Sequence, residues 1–165
     1  MYDDAVVVAL GGNLRGGFES SKALLATALG AFATAGLRVH KCSLWWRSAS
    51  WPDPTHPDYL NGVAIVETAL DPRATLAALH GLERRFGRRR DEPNAPRTLD
   101  LDLIAHGRTI LSERDLILPH PRAAERRFVM GPLAEVAPDW THPILGETAA
   151  VLAAKASVGA DARPI

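Results

Sequence analysis

Residues 98–105 (TLDLDLIA) constrain this chain more tightly than any other stretch. Leu99, Leu101 and Leu103 alternate with polar residues, the period of a strand with one dry face, so Asp100 and Asp102 turn to the same side. Two strand rises separate their Cα atoms by about 6.6 Å. Carboxylates that close repel, and Asp is depleted in strands, so something positive belongs between them. A divalent cation, or a pair of them, with phosphate oxygens completing the coordination meets that need. The alternative is an ordinary wet strand face, against which Ile104 counts, because it continues the side of the two aspartates. Arg84, Arg85, Arg88, Arg89, Arg90 and Arg97 fall within fourteen positions just upstream and offer planar donors for the same phosphates.

The rest of the composition narrows the class. With 165 residues and 47% hydrophobic content, a single globular domain over residues 1–165 is expected. The formal charge is zero, yet 16 of the 19 cations are arginine, which reads as local phosphate chemistry and not as a surface that coats nucleic acid. One cysteine, Cys42, excludes an internal disulfide framework. Neither a targeting segment nor an apolar run of membrane-spanning length is found, so a cytoplasmic protein with no membrane partner is expected.

Along the chain, residues 5–10 (AVVVAL) read as a central strand buried on both faces. The loop 11–17 (GGNLRGG) lacks P-loop and dinucleotide spacing, and tight-turn geometry is favoured over phosphate binding. Helical spacing over 19–35 ends at Gly36, strand character returns at 37–46 and 62–70, and the proline-rich residues 47–58 form an ordered loop. Asp71-Pro72 caps a helix whose stripe is Leu76, Leu79, Leu82 and Phe86, with Gly87 as its stop. Arg84 and Arg85 point outward from it. Residues 91–96 (DEPNAP) read as a mobile or irregular loop of the kind that closes over phosphates. A turn at 106–108 precedes a short return strand at 109–111, residues 128–136 are apolar with a Gly-Pro break, 147–156 form a last short helix, and 159–165 are frayed.

Several residues on these elements suit a ligand site, each with a plainer reading beside it. Trp51, on the proline-stiffened loop, can stack on a flat ligand or anchor the loop to the surface. Asn61 is either a turn residue or a strand-start amide that reads the donor–acceptor edge of a heterocycle. Glu83 borders the buried face of its helix, where pairing with a nearby arginine is the usual role. His120, fixed between Pro119 and Pro121, either donates to a phosphate or makes a local hydrogen bond.

Taken together, ALGGNL, PDYLNGVAIVET, LERRFGRRR, PRTLDLDLIAHG and LPHPRAAERRFVMGPLAEVAP resemble the 6-hydroxymethyl-7,8-dihydropterin pyrophosphokinases of folate biosynthesis. The resemblance implies an α+β fold of ferredoxin-like type, a mainly antiparallel sheet with helices on one face and substrate-closing loops on the other. It implies transfer of pyrophosphate from MgATP, as co-substrate, to the pterin hydroxymethyl oxygen with release of AMP. Asp100 and Asp102 would hold two Mg²⁺ ions. Arg88 and Arg97 would join them as catalytic residues and bind phosphates together with Glu83, His120 and Arg126 on the ATP side. Asn61 would read the pterin edge between Tyr59 and Phe128, with Ser48 and Trp51 in the pocket wall. The partners implied are these two small molecules alone, with no nucleic acid and no membrane, and a monomer is expected.

The chain departs from the family pattern in two places. Asn94 stands where many members have tryptophan in the mobile loop, which is also about one residue shorter. Ser48, Ala49 and Ser50 replace a common Thr-Pro-Pro after Trp46-Arg47, and Trp51 takes the place of a smaller apolar residue. Two other readings compete: a weakened relative that binds nucleotide or pterin without turnover, and an RNA-binding ferredoxin-like module. The paired acids count against the second, since they repel a phosphodiester unless metals intervene.

Overall fold

The structure, a computed structural model, describes residues 2, 4–15, 17–49, 55, 57–87 and 99–165. Strand β1 (Val6–Gly12) is buried along its whole length, as its unbroken apolar run requires. Helix α1 (Ser21–Gly30) starts on Ser20, whose hydroxyl accepts from the Ala23 N–H, and buries Leu24, Leu25 and Ala28. A 3₁₀ turn, Phe32–Ala35, carries the chain to Gly36, whose left-handed φ of 82° stops it. Strands β2 (Arg38–Cys42), β3 (Trp46–Ser48) and β4 (Tyr59–Glu67) follow. Helix α2 (Pro72–Arg85) is capped by Asp71 with proline in its first turn, and Gly87 beyond it has φ 84°.

Strand β5 (Asp100–His106) completes a β-α-β-β-α-β frame. With β8 (Arg163–Pro164) the sheet order is β5-β1-β4-β3-β8, β2 lies beside β4, and neighbouring strands run antiparallel. A separate hairpin of β6 (Leu111–Glu113) and β7 (Leu116–Leu118) follows, then helices α3 (Arg127–Val136) and α4 (Ala149–Lys155), and β8 (Arg163–Pro164).

Period-two alternation divides the sheet into two cores. Val6, Val8, Leu10, Leu101 and Leu103 join Leu24, Leu25, Leu79 and Leu82 under α1 and α2. Val7, Ala9, Val63, Ile65 and Ile104 face the other way, against Val129, Met130 and Leu133 of α3 and Leu152 of α4. Helices therefore cover half of this second face as well, and the half that carries Gly11, Asn61 and Asp100 holds the candidate site.

Four local expectations are corrected. Gly11 and Gly12 lie within β1 and make no turn. The strand expected at 109–111 begins at Leu111 and pairs with β7. The Gly-Pro pair lies inside α3, where Pro132 forfeits one helical hydrogen bond while Met130, Leu133 and Val136 are buried. Residues 159–165 are not frayed: β8 pairs with β3, and the Ile165 N–H donates to the Trp45 carbonyl. Their partners are distant in sequence, so no local pattern announces them.

Candidate active site

Register assembles one row across the sheet. Asp100 lies opposite Gly11, Gly11 opposite Asn61, and Asn61 opposite Trp46. Asp102, Ala9 and Val63 form the next row on the same face. The missing side chain at Gly11 is what lets the row close, because a Cβ there would lie 2.6 Å from Asn61 Oδ1. The glycine that the sequence suggested for a turn thus makes room for the amide. Tyr59 is two residues from Asn61 on the same side of β4 and lies opposite Ser48, which is buried.

Asp100 and Asp102 are half-exposed, while Leu101 and Leu103 beside them are buried. From below, Glu83 of α2 reaches the strand: it is 1% exposed, and its Oε2 accepts from the Leu101 N–H at 2.8 Å. That bond holds the main chain midway between the two aspartates. Glu83 itself lies on the α2 side of the sheet, whereas the carboxylates turn to the other face.

His120 is held against the outer edge of β5, its N–H donating to the Ile104 carbonyl at 2.8 Å. Its Nδ1 accepts from the Arg122 N–H at 3.2 Å. Burial pushes the imidazole down to about 4; the nearby Arg126 and Arg122 cations act in the same direction and the Asp100 carboxylate against it. The ring is therefore neutral near pH 7, and with Nδ1 serving as acceptor the proton sits on Nε2, a donor. Arg126 stands just before α3, its guanidinium carbon 5.7 Å from the centroid of the Phe128 ring in the first turn. Asp100 and Arg126 thus both act electrostatically on His120, and Arg126 in turn lies over Phe128.

A cavity of about 300 Å³ opens beside this cluster, lined by Asp102, Leu101 and His120, by Leu76 and His80 of α2, and by Arg114 and Ile117 of the hairpin. The sequence offered no signal for His80, on α2, or for Arg114 and Ile117, which the hairpin brings in from outside the main sheet. A second space of about 490 Å³ lies between the first turn of α1 and β3–β4, and among the described residues none of the expected site residues lines it. Arg88, Arg97 and Trp51 lie outside the described residues, as does Asn94.

The donor set suits a hard cation that keeps part of its water. Among the described residues no group of three His, Cys, Asp or Glu side chains forms a closed cage. Mg²⁺ is commonly held by one or two carboxylates, with water and phosphate oxygens completing its shell. Among the same residues no helix is long and apolar enough to cross a membrane.

The family model for 7,8-dihydro-6-hydroxymethylpterin-pyrophosphokinase (HPPK) matches residues 7–138. A Synechocystis protein called 2-amino-4-hydroxy-6-hydroxymethyldihydropteridine pyrophosphokinase is 42% identical over 142 residues, which cover 86% of this chain and 71% of the relative. Its namesake in Pseudomonas aeruginosa is 39% identical over 139 residues, covering 84% and 83%. Among solved structures, a crystal structure of Plasmodium falciparum HPPK-DHPS superposes with a TM-score of 0.74 at 13% identity, covering 98% of this chain and 47% of that longer one. At that identity the likeness speaks for the fold.

Proposed function

The chain belongs to the 7,8-dihydro-6-hydroxymethylpterin-pyrophosphokinase family, and from this premise we propose how its site carries out the reaction. It transfers the pyrophosphoryl group of ATP to the hydroxymethyl oxygen of 6-hydroxymethyl-7,8-dihydropterin, in folate biosynthesis. The bond that breaks joins the α- and β-phosphates, so AMP leaves. The placement of Asp100 in the row that contains Gly11 and Asn61, with Asp102 in the next row on the same face, carries the assignment of roles.

In this reading Asp100 and Asp102 hold Mg²⁺, two ions, which would neutralise phosphate charge and favour an in-line approach of the hydroxyl. Arg88 and Arg97 bind the phosphates and stabilise the charge that moves to AMP. His120 offers Nε2–H to a phosphate or ribose oxygen without adding a positive charge. Arg126, near both His120 and Phe128, bridges the nucleotide and pterin sides. Asn61 presents its amide to the donor–acceptor edge of the pterin, Tyr59 and Phe128 sandwich the ring, and Ser48 and Trp51 form the wall. The 300 Å³ cavity receives the nucleoside part of ATP between Leu76, Leu101 and Ile117. Glu83 acts on ATP through β5, by fixing the strand that presents the two carboxylates.

We also assign the work to one domain spanning 1–165, acting in the cytoplasm as a monomer. The test of the metal assignment is Asp102→Asn. Turnover should fall by about 100-fold or more while ATP affinity changes by less than about tenfold. Near-normal turnover in that variant would overturn it.

A further inference from the structure

The last residues of the chain form a strap across the back of the proposed pterin slot. The Val158 N–H donates to the Glu125 carbonyl at 2.9 Å, and the Arg127 N–H donates to the Val158 carbonyl at 2.8 Å. The strap is thereby stitched to the start of α3, the turn that carries Arg126 and Phe128. Arg127 Nε also donates to the Ala162 carbonyl at 3.1 Å. At its other end the strap belongs to β3: Arg163 pairs with Arg47, and Asp161 Oδ2 accepts from the Ala49 N–H at 2.8 Å. Ala49 follows Ser48, which lies opposite Tyr59. One short segment thus ties the element bearing Phe128 to the element beside Tyr59.

Beside its first residue the strap meets the ring itself. Gly159 has φ 69°, and a Cβ there would lie 2.5 Å from Phe128 Cδ1 and 3.1 Å from Cε1. Real Cβ atoms do not approach so closely, so the Phe128 ring rests on glycine backbone, and any side chain at 159 would push it.

We propose that residues 158–165 set the width of the pterin slot, with Gly159 and Asp161 as positioning residues: Gly159 through the seat of the Phe128 ring, and Asp161 through the main chain after Ser48. The proposal rests on the reading of Phe128 as one wall of that slot. It makes the tail a determinant of affinity for the flat ring and leaves the nucleotide groups on β5 and the hairpin untouched, while Arg126, over the Phe128 ring, is the nucleotide-side residue within its reach.

The test is a titration of the full chain with 6-hydroxymethyl-7,8-dihydropterin in the presence of Mg²⁺ and α,β-methylene-ATP, whose equivalent of the broken bond cannot cleave. Gly159→Ala should weaken pterin binding about tenfold or more while nucleotide affinity, which also reports folding, changes by less than about twofold. Asp161→Ala should move pterin affinity in the same direction, and Asp161→Asn, which keeps an oxygen for the Ala49 N–H, should restore it. On a Phe128→Ala background, itself weak for pterin, Gly159→Ala should add less than about twofold, because the ring it displaces is gone. An equal effect in both backgrounds would mean that backbone strain at 159, not the ring, is responsible, and would overturn the proposal. Wild-type affinity in Gly159→Ala, with Phe128→Ala impaired, would overturn the strap alone. Wild-type affinity in Phe128→Ala would remove the slot reading and the strap with it. Should Gly159→Ala fail to fold, unchanged pterin affinity in Asp161→Ala decides against the proposal.

Discussion

Glu83 shows how a buried carboxylate can serve a site it does not face. Its spacing on α2 placed it beside the apolar stripe, and from there its Oε2 accepts from the Leu101 N–H. Leu101 separates Asp100 from Asp102, so whatever loosens this hydrogen bond loosens both carboxylates. Glu83→Gln still offers an oxygen to that N–H and should be mild. Glu83→Ala leaves a buried donor without this acceptor, and should cost about 1–3 kcal/mol in chemical denaturation and lower kcat. If the alanine variant were as stable and as active as the glutamine one, the bracing role would be lost. Gly11 teaches a related lesson. The sequence suggested a turn glycine there, and only the opposite strand shows that Asn61 needs the space.

At the scale of elements, α3 is wedged onto β3 by shape. Trp46 is 8% exposed; its Nε1 donates to Glu135 Oε1 at 3.0 Å, and the Arg127 guanidinium carbon lies 5.8 Å from its ring. Glu135 Oε2 also accepts from the Leu44 N–H at 2.7 Å, so the helix grips the β2–β3 connection as well. A Cβ on Gly131 would lie 2.6 Å from Trp46 Cζ3, whereas one on Gly81 in α2 would meet only Arg84 Nη2, at 3.8 Å. Helix propensity alone favours alanine by about 1 kcal/mol at either position. Overpacking costs about 1–3 kcal/mol and should reverse the sign at one of them. Urea denaturation should therefore show Gly81→Ala as neutral to stabilising and Gly131→Ala as destabilising. Stabilisation by Gly131→Ala would mean that α3 can slide off Trp46, and would undo the account of how its first turn is aimed.

Across the whole molecule, what the sequence made legible was what is written locally. The alternation in TLDLDLIA turned both aspartates to one side, and the Asp71-Pro72 cap and Gly87 bracketed α2 because caps and period depend on neighbours a few residues apart. The motifs spread along the chain carried the family and, with it, the fold. What escaped was long-range. The tail at 159–165 is composed like a frayed end and is ordered by carbonyls and amides of β3 and α3. The hairpin wall of the cavity is placed through Arg73 of α2, which pairs with Glu113 and, at 2.9 Å, with Asp115. None of these partners can be read from spacing.

The central claim is a transfer that breaks the α,β-phosphate bond and needs the pterin as acceptor. Incubating the purified chain with ATP, Mg²⁺ and 6-hydroxymethyl-7,8-dihydropterin, and separating the nucleotide products, tests it most directly. AMP is expected, formed in equal amount with pyrophosphorylated pterin and only when pterin is present. Formation of ADP, or of AMP at the same rate without pterin, would contradict it.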